Sequence, residues 1–214
     1  MEKIILTTFT DPMMGLSYES EPIMERLSAA YGEQIEWRYV MGLLVRDVSD
    51  FMTPEERKLA PAAGIARYCQ RLARIYKNEE SIGGLPINME NCCLFDENHR
   101  SSKPLNLAYE AAKLTDHQKA DAFLKALRHA TVKNGLPTTH FDVILDVVRH
   151  SGIDETALSK HYEGGSAEDA LIADLAYAKL LRVHSLPTYL FNIRAKRFFC
   201  RASIIMNLSK QFRG

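Results

Sequence analysis

The chain has 214 residues, 46% of them apolar, and its 27 basic side chains are balanced by 27 acidic ones. That length supports a sizeable core, in one domain carrying an insertion or in two small domains. Balanced charge gives no sign of the basic excess that nucleic acid or an anionic membrane surface usually selects, and no apolar run approaches the roughly 20 residues of a membrane helix. The stretch Met1–Phe9 turns polar too soon for a secretion signal. A cytoplasmic location is expected, where cysteines stay reduced.

Ile4 to Phe9 is a short β-branched and apolar run, the pattern of a buried strand. Thr10-Asp11-Pro12 ends it and a loop is expected to follow. Ser20 ahead of Glu21-Pro22 starts a helix, with Ile23, Leu27 and Tyr31 on one face and Gly32 at its end. From Gln34 to Met41 the pattern alternates with period two, a second strand. Two strands joined by a helix predict a parallel pair.

From Thr53 to Arg182 the signals are helical. Thr53-Pro54-Glu55-Glu56 predicts a capped start to a helix running to about Lys77. Further helices are predicted from Ser102 to Leu114, from a capping box at Thr115-Asp116-His117-Gln118, from Thr139 to His150, from Asp154 to Tyr162, and from a capping box at Ser166-Ala167-Glu168-Asp169. Strand pattern returns in Tyr189–Ile193 and Lys196–Cys200, a hairpin. Ile204 to Phe212 reads as a closing amphipathic segment. The order βαβ, helical block, ββα places one sheet with helices on its faces. The expected boundaries are 1–50 and 183–214 for the two parts of the sheet domain and 51–182 for the helical insertion.

Cys69, Cys92, Cys93 and Cys200 form no Cys-x-x-Cys pair. Cys69 falls on an apolar helix face and reads as core packing. Cys92 and Cys93 read as two free thiols, and Cys200 ends a hairpin strand. The seven histidines show no ligand spacing, so no metal is expected. Asp11, Glu19 and Glu21 near a helix start read as partners of its dipole.

Several stretches carry a resemblance when taken in order. They are Thr10-Asp11-Pro12 with Glu21-Pro22, Arg38-Tyr39-Val40-Met41-Gly42-Leu43-Leu44, Ser101-Ser102 followed by Leu107 to Leu114, and Asp174-Leu175-Ala176-Tyr177-Ala178 leading to Leu186-Pro187-Thr188. In these the chain resembles the DsbA-like branch of the thioredoxin superfamily, and within it the cytoplasmic FrnE-type dithiol-disulfide isomerases. The resemblance implies an α/β thioredoxin fold (βαβ…ββα) with a large inserted α-helical domain, and a cis proline at Pro187.

The same resemblance puts Met14 where the family has its first redox cysteine and Ser17 where it has its second, with Gly15-Leu16 between. Disulfide exchange needs a thiolate to attack and to leave. A thioether does neither, and a serine hydroxyl stays protonated without a base. The redox function therefore does not carry over to these positions, whereas the groove geometry does. That groove is expected between a loop of Asp11, Pro12, Met13, Met14, Gly15, Leu16 and Tyr18 and a turn of Leu186, Pro187 and Thr188, with His184 nearby. One reading is a degenerate site that binds an extended peptide or client protein. Met-rich surfaces suit this, as does strand addition at Leu186-Pro187. One cytoplasmic branch of the family delivers a client to a protease. A second reading is a glutathione-dependent isomerase or transferase like the kappa-class glutathione transferases and 2-hydroxychromene-2-carboxylate isomerases. Ser17 is then its catalytic residue and glutathione its one cofactor. A third is residual disulfide isomerase activity through Cys92, Cys93 or Cys200.

Overall fold

A computed structural model describes residues 3–90, 93–193 and 196–201. Four strands form one sheet: β1 (Ile4–Thr10), β2 (Ile35–Met41), β3 (Thr188–Ile193) and β4 (Lys196–Arg201), in the order β2-β1-β3-β4. β1 and β2 run parallel, from Ile4 opposite Ile35 to Thr10 opposite Met41. β3 is antiparallel to β1, with Phe9 opposite Thr188, and β4 is antiparallel to β3. Alternation along the strands sends Leu6 and Tyr189 to one face, against Ile23, Met24 and Leu27. It sends Phe9, Val40 and Leu190 to the other, against Ala178.

The crossover between β1 and β2 holds two helices. The loop expected after Asp11-Pro12 contains the short helix α1 (Gly15–Glu19), and α2 (Glu21–Tyr31) follows at once. The helical block comprises α3 (Pro54–Arg57), α4 (Pro61–Gly83), α5 (Lys103–Thr115), α6 (His117–Arg128), α7 (Phe141–Ser151), α8 (Glu155–Glu163) and α9 (Ser166–Leu180). Its core includes Ile65, Tyr68, Leu105, Phe123, Leu127 and Ile144. Among the described residues, no helix is long and apolar enough to cross a membrane.

Local chemistry explains where the elements depart from their sequence patterns. The single helix expected from Pro54 to about Lys77 is two. Thr53 and Glu56 close a capping box on α3, the chain leaves the helix at Lys58, and Pro61, which has no N–H to give, restarts it as α4. Glu56 then reaches Arg71 at 2.9 Å and folds α3 back on α4. The cap of α6 is Asp116, which accepts from the Gln118 and Lys119 amides, one residue after the position expected. The capping box expected at Ser166 does not form. Gly165, at φ 88°, takes the cap position, and the Ser166 hydroxyl lies 2.9 Å from His161 Nδ1.

The cysteines require a further correction. Cys69, buried on α4, and the exposed Cys93 form a disulfide with their Cα atoms 5.2 Å apart. Neither is the reduced thiol that the sequence suggested, because the loop after α4 folds back along the helix and brings Cys93 over Cys69. Cys92 and the segment 204–212 lie outside the described residues.

Candidate functional site

The site grows from the end of β1. Asp11 is fully buried, and its carboxylate accepts from the Met13 amide (3.0 Å), the Leu44 amide (2.8 Å), the Ser102 hydroxyl (2.7 Å) and the Asn106 amide (2.8 Å). Burial pushes its pKa above the usual carboxylate value, against the pull of those four donors. Asp11 thus ties the exits of β1 and β2 to the start of α5. It is a structural anchor, and it lines neither of the two cavities that open on α1.

α1 is held as firmly. The Tyr76 hydroxyl donates to the Met13 carbonyl, and the Tyr18 hydroxyl donates to that of Pro86 at 3.0 Å. A Cβ at Gly15 would collide with the Tyr76 ring and Glu79, so only glycine lets α4 approach this closely. Ser17 points inward, its hydroxyl 2.7 Å from that of Thr10, and one turn on the Ser20 hydroxyl lies 2.8 Å from that of Tyr189.

Two cavities open on α1. One, of ≈ 210 Å³, is lined by Met13, Met14 and Gly15, by Leu44 and Val45 after β2, by Phe51, and by Tyr68, Arg71, Leu72, Ile75, Tyr76 and Glu79. Phe51 and Ile75 are 44% and 43% exposed, so the mouth of this cavity is apolar. The other, of ≈ 260 Å³, lies between α2, α6 and the sheet and is lined by Thr8, Ser17, Ser20, Glu21, Tyr39, Arg128 and Tyr189 among others. Arg128 is buried there. It donates to Glu21 at 3.3 Å, Glu21 also meets His129 Nε2 at 2.6 Å, and Arg128 Nε has no hydrogen-bond partner among the described residues.

The acids beside α1 are perturbed. Burial, with the Glu19 charge adding to it, lifts Glu79 to about 7. Glu19 is likewise lifted to about 7 by burial, although the Leu85, Gly83 and Gly84 amides pull it down.

The residues expected to share one groove are therefore divided. Met13, Met14 and Gly15 line the apolar cavity and Ser17 lines the polar one. Tyr18 and Pro12 are buried, and Leu16 is half-buried. The Leu186–Pro187 peptide bond is cis, and the pairing of Phe9 with Thr188 carries Pro187 to the end of β1. Leu186, Pro187, Thr188 and the exposed His184 line neither cavity. From Thr188 to Asn192 β3 is paired on both sides, so strand addition near the cis proline has only the turn before Thr188 to use. Phe51, Arg71, Ile75 and Glu79 were not anticipated. The signal for one of them was present: Glu79 continues the inward face that carries Ile65, Tyr68, Cys69 and Tyr76, and an acid on such a face marks a special environment.

Comparison with known proteins places this geometry. A thioredoxin family model matches residues 7–197. The ClpXP adapter protein SpxH of Halalkalibacterium halodurans is 24% identical over 184 residues, 86% of this chain and 57% of that protein. The chain thus spans a little over half the length of the curated relatives it matches. Among solved structures, a candidate protein disulfide isomerase from Nitrosomonas europaea superposes with a TM-score of 0.73 at 15% identity, covering 100% of both chains. The cytosolic disulfide reductase DsbM from Pseudomonas aeruginosa gives 0.65 at 16% identity over 98% of each. With the family match running across both halves of the sheet and the helical block between them, the chain belongs to the thioredoxin family.

Proposed function

We propose that this chain is a non-redox member of its family that binds an extended apolar segment of a client protein, seating a side chain in the cavity beside Met14. The observation that carries the reading is that cavity: ≈ 210 Å³, walled mostly by apolar side chains, with Phe51 and Ile75 exposed at its mouth. Burying one large apolar side chain contributes about 1.5–3 kcal/mol. A few such contacts along an extended segment suffice for a usable affinity. Met14 and Ser17 stand where the family resemblance puts its two redox cysteines, so neither supplies the thiolate that exchange requires. The relative named as a ClpXP adapter supports an adaptor role, in which the captured segment is presented to a protease.

The glutathione-dependent alternative asks Ser17 to present its hydroxyl to a thiol. That hydroxyl is buried, meets Thr10 and lines the polar cavity, so no observation favours this reading over capture of a client.

The test is fluorescence anisotropy with a labelled, permanently unfolded polypeptide whose cysteines are blocked. Wild-type protein is expected to bind saturably, and Ile75→Asp, a change at an exposed position, to weaken binding about tenfold or more, equivalent to about 1.4 kcal/mol. Equal binding by the two proteins, or none by either, overturns the proposal.

A further inference from the structure

We propose that Asp96, His99 and His140 form a binding site for a divalent transition-metal ion of the Zn(II) class, on the side of the helical block that carries the disulfide. One atom from each residue, two imidazole nitrogens and a carboxylate oxygen, lies within 4.8 Å of the others. The two rings stack with centroids 3.7 Å apart, and both turn a nitrogen toward the same carboxylate. His99 Nδ1 is 2.9 Å from Asp96 Oδ2, and His140 Nε2 is 3.1 Å from it.

The fold holds the set in place by means that leave the ligand atoms available. Asp96 Oδ1 accepts the backbone N–H groups of Asn98 (2.7 Å) and His99 (2.8 Å) and lies 2.9 Å from His99 Nδ1, which orients the carboxylate with Oδ2 facing both rings. The Asp96 amide donates to the His99 carbonyl at 3.1 Å and closes the turn. The Thr139 hydroxyl donates to the Leu94 carbonyl, pinning this loop beside the start of α7, where His140 is the capping residue.

The donor set defines the ion. Two imidazoles and one carboxylate suit Zn(II) and its first-row neighbours, whereas Mg(II) and Ca(II) select oxygen. Bonds of about 2.0–2.1 Å at tetrahedral angles separate ligand atoms by about 3.4 Å. The observed 2.9 and 3.1 Å separations are those of hydrogen-bonded groups. Opening them by about half an ångström or less, and splaying the rings so that their lone pairs converge, makes room for the ion. The three side chains are 45%, 34% and 32% exposed, so water can complete the shell. His99 and His140 are far apart in the chain, which is why ligand spacing in the sequence did not reveal the set.

The experiment uses the full chain with its disulfide intact, no affinity tag and metal removed by chelation. It is titrated calorimetrically with zinc chloride and followed by visible absorption with Co(II). One ion per chain is expected, with affinity reduced about tenfold or more in His140→Ala and in Asp96→Asn and unchanged in His117→Ala. Circular dichroism checks each fold, and His99→Gln replaces any variant that fails to fold. Zinc should also raise the melting temperature of the wild type by mass action, and not that of the site variants. No saturable binding, or binding that the site variants retain, overturns the proposal. So does binding that is lost in Cys92→Ser and kept in His140→Ala, which assigns the ion to a thiol.

Discussion

The two cavities on α1 share one short helix and differ in the polar groups they carry. On the side of Met14 the walls are apolar, and Arg71 and Glu79 are its charged lining residues. On the side of Ser17, Met24, Trp37 and Leu124 share the wall with hydroxyls, acids and a buried arginine, and Ser20 is already bonded to Tyr189, Arg128 to Glu21 and Lys125 to Glu25. An apolar cavity open to solvent gains by accepting an apolar guest. A cavity with paired polar groups in its wall gains less, because a guest beside them must not disturb hydrogen bonds that the protein or water already makes. Under the proposed function, the cavity beside Met14 is therefore the one that receives the client's apolar side chain.

The severest way to break this comparison is to remove the anchor that ties the exits of β1 and β2 to the start of α5. Asp11→Ala removes the shared acceptor of four donors, leaving the Met13 and Leu44 amides without it, and is expected to cost about 3–5 kcal/mol in urea unfolding. Ile75→Asp is expected to weaken client binding about tenfold while leaving stability within about 0.5 kcal/mol. Ser17→Ala removes one buried hydrogen bond, costs about 1 kcal/mol, and leaves client binding unchanged. If Ser17→Ala instead abolishes binding, the functional side of α1 has been misassigned.

A smaller effect lies in pH. Glu19 and Glu79 hold their protons to about 7 in the folded chain, against an ordinary value of 4.5. Between those values the folded state binds protons that the unfolded state has released. The contribution of these groups to stability therefore falls as pH rises through this window and levels off above it. Glu79→Gln is expected to make that slope shallower when urea midpoints are measured across the window. Client binding should also weaken above pH 7, as Glu79 becomes charged beside an apolar guest.

Much of the fold was legible because its signals are local. The run from Ile4, the alternation from Ile35 and the hairpin after Thr188 all form the strands their patterns imply. Side-chain direction was not legible. Met13 and Tyr18 look like groove residues in a loop, yet they are buried because α1 forms inside that loop and α4 packs against it. The inward turn of Ser17 depends on Thr10, and the mouth of the apolar cavity depends on Phe51 and Ile75 from segments distant in sequence. The disulfide escaped notice for the same reason, since Cys93 meets Cys69 only once the loop after α4 has folded back.

The most direct measurement labels the methionine methyl groups with carbon-13 and follows them by NMR as an unfolded, cysteine-blocked peptide is added. Met13 and Met14 line the apolar cavity and Met24 lines the polar one, so each cavity carries its own reporter. The expected result is a saturable shift of the Met14 methyl, with Met24 unmoved. A shift at Met24 with Met14 silent would contradict the account and move client binding to the polar side of α1.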